Sequence, residues 1–69
     1  MEYVRVRFPE IRTVFVDGRP AGRTNETLVI EAGTHEVDLG QPGDYAPSKK
    51  LVIVTNTTSI SPVEINFVK

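Results

Sequence analysis

The sequence predicts an all-β fold: a small antiparallel β-sandwich or Greek-key barrel of six or seven short strands, with no helix. Three observations carry this. Apolar residues recur with a period of two in short runs along nearly the whole chain, the period of half-buried strands. Turn signals separate the runs, at Asp17-Gly18, Glu31-Ala32-Gly33 and Pro42-Gly43. No window places apolar residues at i, i+3, i+4 and i+7 over a helical length. The 69 residues allow one domain, residues 1–69. So short a chain buries only about 60% of its unfolded surface, and with no cysteine it has no disulfide to compensate.

The elements follow in order. In Glu2 to Phe8, Val4, Val6 and Phe8 point one way and Tyr3, Arg5 and Arg7 the other. Pro9 ends the run, because proline cannot donate to a ladder. Arg12 to Val16 places Val14 and Val16 on one face, with Thr13 and Phe15 opposite. Asp17-Gly18 then predicts a two-residue type I′ turn, which needs positive φ at both positions. The return strand, Arg19 to Arg23, contains Pro20 and Gly22 and is predicted to be an edge piece. Thr24 to Glu26 reads as loop and Thr27 to Glu31 as a strand with Leu28 and Ile30 on one side.

Glu31-Ala32-Gly33 suits a three-residue hairpin closed by a left-handed glycine. It leads into Thr34 to Leu39, with His35, Val37 and Leu39 on one face and Glu36 and Asp38 on the other. Pro42-Gly43 fits the centre of a type II turn. Lys50 to Asn56 is apolar on both faces and reads as a central strand covered on both sides. A polar turn over 56–61 precedes Pro62, which opens a last strand with Val63, Ile65 and Phe67 on one face. The predicted core is Val4, Val6, Val14, Val16, Leu28, Ile30, Val37, Leu39, Leu51, Ile53, Val63, Ile65 and Phe67. On this reading Ile53→Ala costs about 2–5 kcal/mol.

The runs VFVDGRPAGRTN, LVIEAGTHEVDL and GDYAPSKKLVIV together resemble the PEGA domain family, over about residues 12 to 68. The matching positions are Val16-Asp17-Gly18, Gly22, Thr24, Leu28, Ala32-Gly33, His35, Val37, Gly43 and Tyr45. Asn25 stands where the family often has proline, and Asp44 separates a glycine and a tyrosine that are adjacent in the family. The resemblance implies a sandwich of transthyretin-like or carboxypeptidase-regulatory-like type. It also implies a module attached to larger bacterial or archaeal surface proteins. The family supplies no catalytic residues to carry over, and a fold match alone does not assign a function.

Composition narrows the function classes. The net charge is −1, which argues against a general nucleic-acid binder. Charge is unevenly spread. Residues 1–23 carry +2, residues 24–48 carry −5 with no lysine or arginine, and residues 49–69 carry +2. This predicts cross-strand attraction between basic and acidic segments, or a dipolar surface that pairs head-to-tail with a copy of itself. No stretch approaches the about 20 apolar residues of a membrane helix, so no membrane insertion is expected. Residues 1–15 have no secretory pattern; the expectation is cytoplasmic if the chain is full-length and extracellular if it is an excised module.

No constellation supports an enzyme, and no cofactor or metal is expected. His35 is the only histidine and is read as half-buried, packing by its ring, rather than as a catalytic base or metal ligand. Glu36 and Asp38, about 7 Å apart on one face, read as a soluble strand face. The glycines open no helix, where a phosphate-binding loop would want one. The glycosylation-like triplets Asn25-Glu26-Thr27 and Asn56-Thr57-Thr58 read as chance.

The candidate interaction surface is Arg5, Arg7, Phe15 and Tyr45. Phe15 either covers the second face of its sheet or marks a protein contact beside Arg5 and Arg7, a pairing frequent at interface hot spots. Tyr45 either packs inward with its hydroxyl on the backbone or stacks on a sugar. The expected function is a non-catalytic structural or protein–protein module, with self-association possible. The alternative is a carbohydrate- or small-ligand-binding module.

Overall fold

A computed structural model describes residues 1–58 and 60–69. It has seven strands: β1 (Glu2–Arg7), β2 (Thr13–Val16), β3 (Arg19–Arg23), β4 (Thr27–Ile30), β5 (Gly33–Asp38), β6 (Lys50–Val54) and β7 (Val63–Asn66). Among the described residues there is no helix. Two sheets, ordered β4-β1-β7 and β3-β2-β5-β6, close over one core. The core holds Val4, Val6, Phe8, Val14, Val16, Leu28, Ile30, Val37, Leu39, Val54, Ile65 and Phe67, and Val63 packs against it half-buried.

Asp17 and Gly18 have φ of 53° and 82°, the type I′ turn that their sequence predicts. It joins β2 to β3, and β3 is an edge strand as Pro20 and Gly22 require. At Gly22 φ is 153°, and a Cβ there would lie 2.2 Å from Leu28 Cδ2. The missing side chain is what lets β3 close against β4 at the corner of the sandwich.

Three expectations are overturned. Leu51 and Ile53 are not core: they are 73% and 72% exposed. The β5–β6 register pairs Leu51 with Glu36 and Ile53 with Thr34, all facing outward, while Val54 is fully buried. β6 is also an edge strand, not a central one. A run apolar on both faces lets a one-residue register choice reverse inside and outside. Second, Glu31-Ala32-Gly33 is not a hairpin. β4 pairs with β1 and β5 with β2 and β6, so this segment carries the chain from one sheet to the other. Leu28, Ile30 and Val37 thereby enter one core from two sheets.

Third, Gly43 is not the glycine of a type II turn. Gly40 takes the positive φ, 66°, under the Phe15 ring, and the Gln41–Pro42 peptide is cis. The loop is shaped by Arg12, described below. The sheets are antiparallel-dominated, as the sequence predicts, with one parallel pair: β7 runs alongside β1, with Val4 opposite Val63 and Val6 opposite Ile65. Thr57, upstream of β7, is held at the start of β1. Its backbone N–H and hydroxyl both donate to Glu2 Oε1 at 2.8 Å, and its hydroxyl oxygen accepts from the Tyr3 amide at 2.6 Å. The chain is thus fastened beside the start of β1 before β7 runs along it. Residue 59 of the predicted 56–61 turn lies outside the described residues.

Candidate interaction surface

One end of the sandwich is organised by Arg12, a residue that sequence reasoning did not single out. Its side chain is only 11% exposed. The guanidinium donates to Asp44 Oδ1 at 2.6 Å and to the Pro42 carbonyl at 2.6 Å, with longer bonds to the carbonyls of Leu39 and Gly40. It also lies over the rings of Tyr45 and Phe8, 5.0 and 5.8 Å from their centroids. The hydrogen bond from Arg12, with its charge behind it, holds the Asp44 carboxyl below its usual pKa. Asp44, which departs from the family pattern, is therefore used here as a loop anchor.

Tyr45 packs inward. Its ring meets Phe8 and Phe67 edge-on, at centroid distances of 6.2 and 5.5 Å. Its hydroxyl donates to the Gly40 carbonyl and accepts from the Leu39 amide, both at 3.0 Å. The ring is thus held by Phe8, Phe67 and Arg12, and its hydroxyl by the backbone.

The other departure, Asn25, has φ of 64°, which proline cannot adopt. Its amide side chain bridges the N–H and carbonyl of Phe8, while the buried Thr24 hydroxyl accepts from the Arg12 amide and donates to the Glu10 carbonyl. The pair ties the end of β1 to the start of β2.

The four predicted surface residues do not form one surface. Arg5 and Arg7 stand on the outer face of β4-β1-β7, where Arg7 Nε lies 3.7 Å from Glu64 Oε1. Among the described residues the buried Nε of Arg5 has no hydrogen-bond partner. Phe15 stands on the outer face of the other sheet, its backbone paired with Pro20 and Asp38 and its ring over Gly40. It is half-buried and covers the sheet's second face.

The outer face of β3-β2-β5-β6 carries the chain's most exposed strand apolar residues, Leu51 and Ile53 on the β6 edge. Beside them Lys49 Nζ pairs with Glu36 Oε1 at 3.3 Å. An open cleft of about 320 Å³ adjoins, lined by Glu36, Asp38, Gly40, Gln41, Tyr45, Ser48 and Lys49. Its walls are mostly polar, and its one aromatic ring is the Tyr45 already engaged below.

His35 is half-buried, as read from its place beside Val37, but hydrogen bonds rather than packing hold it. Nδ1 lies 2.6 Å from Asp17 Oδ2 and Nε2 lies 2.7 Å from the Glu31 carbonyl. Both partners are acceptors, so only the doubly protonated ring satisfies both. Asp17 first and the Glu31 carbonyl second raise the His35 pKa above 6.5. The Glu36 amide, then His35, lower that of Asp17 below 3.8. The ring thereby straps the β4–β5 crossover to the β2–β3 turn.

The sign of the pH effect follows by linkage. The histidine contribution is complete below pH 6.5 and is lost as pH rises through the raised folded value. The aspartate contribution is present above 3.8 and lost as pH falls. Urea midpoints of the wild type and His35→Gln should therefore differ most in the mildly acidic range and converge at alkaline pH. A gap that stays constant through alkaline pH contradicts the strap.

The fold and its motif residues define a class: a two-sheet β module whose signature positions serve turns, close approach and loop anchoring. Asp17-Gly18 makes the type I′ turn, Gly22 admits Leu28, Thr24 joins two segments, and Tyr45 fills the open end. The PEGA domain family model matches residues 8–66, and the chain belongs to that family. No curated protein and no solved structure matches it.

Proposed function

We propose that this domain is a non-catalytic protein-interaction module and that the β6 edge is its binding element. The observation that carries this is the outward pair Leu51 and Ile53, 73% and 72% exposed on an edge strand. Edge strands offer unpaired amides and carbonyls, and natural domains usually blunt them with proline, charge or a bulge. The sequence KLVIV carries its charge only at its first residue and lacks proline. A partner segment adding a strand here gains main-chain hydrogen bonds, with Leu51 and Ile53 giving side-chain contact.

The test is selection of short peptides on the immobilised domain, followed by nuclear magnetic resonance mapping of the selected binders. Extended, β-branched peptides that shift the amides of Lys50 to Val54, and lose affinity on Leu51→Lys or Ile53→Lys, are expected. Binders that perturb other surfaces overturn the assignment to β6. Oligosaccharides that shift the Glu36, Asp38 and Tyr45 signals, with no strand peptide bound, would favour a carbohydrate module instead.

A further inference from the structure

Among the described residues the two sheets leave four edge strands, β4 and β7 in one and β3 and β6 in the other. Two of them are blunted. β3 contains Pro20 and Gly22, has arginine at both ends and carries an irregular register against β2. β7 follows Pro62, pairs Glu64 with Arg7, and continues into a stretch covered by the Ala46–Val68 bridge. The other two are clean runs of β-formers, TLVI in β4 and KLVIV in β6.

These two clean edges are opposite in charge. β4 is flanked by Glu26 and Glu31, and β6 begins at Lys49-Lys50. They also lie on opposite flanks. β4 sits against β3, which is at the far end of its sheet from β6. Each edge presents an outward apolar residue: Val29, 50% exposed, on β4, and Leu51 and Ile53 on β6.

We infer that the strand received by β6 is β4 of a second copy of this domain, so that copies join head to tail. The inference rests on the interaction reading above. In an antiparallel pairing that keeps outward residues opposite outward residues, Lys49 faces Glu31, Leu51 faces Val29 and Ile53 faces Thr27. Val52 then faces Leu28 on the inner side. Directly opposed unlike charges and apolar pairs are the favourable cross-strand combinations. Pairing β6 with β6 of another copy is less well matched. Centred on Val52, it sets Lys49 against Thr55 and Lys50 against Val54, so neither lysine stands opposite a carboxylate of the other copy's β6. Because the two edges differ, the contact is heterologous and the association stays open-ended unless the rotation between copies closes a ring.

Sedimentation velocity over a concentration series, at low and high salt, tests this. The weight-average mass is expected to climb past that of a dimer at low salt, and high salt should reduce the climb. Glu31→Lys and Lys49→Glu, both at exposed positions, should each weaken association about tenfold, since each replaces an attraction by a repulsion. An equal mixture of the two variants should recover it, because every contact in an alternating chain again pairs unlike charges. Their thermal midpoints verify that both stay folded. A closed dimer indifferent to Glu31→Lys overturns the inference and assigns β6 to itself. A strict monomer overturns it too; if that monomer still binds strand peptides at Lys50 to Val54, the interaction reading survives alone.

Discussion

Leu39→Ala is expected to unfold the domain at ordinary temperature, whereas Ile53→Ala leaves its stability within about 0.5 kcal/mol. Both replace a large aliphatic residue in or just beyond a strand, so chemistry alone predicts similar losses. Burial separates them: Leu39 is 2% exposed and Ile53 is 72%. Truncating a fully packed leucine costs about 2–5 kcal/mol. A single core below about 70–80 residues rarely supplies more than about 3–5 kcal/mol, so the loss consumes most of what holds this chain folded. Leu39 also stands where its amide meets the Tyr45 hydroxyl and its carbonyl meets Arg12. A collapse there would disturb the ring cluster and the loop together. Circular dichroism melts of the two variants beside the wild type decide the matter. A large loss for Ile53→Ala, or a small one for Leu39→Ala, would show the β6 register reversed.

That contrast marks where the sequence is readable. β1, β5 and β7 alternate apolar with mostly polar residues, β2 and β4 each add one outward apolar residue, Phe15 and Val29, and every predicted core residue on these five strands packs inward. In β6 both faces are apolar, and the choice between Leu51 with Ile53 and Val52 with Val54 is made by pairing with β5, which local sequence does not encode. Turn chemistry behaves likewise. Asp17-Gly18 joins two strands that pair with each other, and its φ angles follow from its residues. Glu31 to Gly33 carries an equally local signal, yet its strands belong to different sheets, because sheet membership depends on β1 and β2 far along the chain. The candidate surface was harder still to read. Phe15 was legible as an apolar residue on a polar face. Its separation from Arg5 and Arg7 depends on which sheet each strand joins.

Arg12→Ala is expected to lower stability by about 2–3 kcal/mol, the scale of a hydrogen bond to a charged group with its packing. For a domain of this size that moves the thermal midpoint down by roughly 10–20 °C. The charge segregation along the chain hints at such a residue, since a basic first third and an acidic middle must meet somewhere. Nothing local distinguishes Arg12 from the other four arginines. Its role comes from position: Thr24 fixes its amide, and its guanidinium lies over the rings of Phe8 and Tyr45. From there its planar fork reaches Asp44 and the carbonyls of Leu39, Gly40 and Pro42 together. Arg12→Lys keeps the charge and loses the fork, so it should recover only part of the loss. Asp44→Asn, at a far more exposed partner, should cost less than either. If the carbonyl contacts are what shape the loop, amide exchange at Leu39 and Ala46 should accelerate in Arg12→Ala more than in Asp44→Asn. Equal acceleration in the two would instead assign the loop's order to the single ion pair.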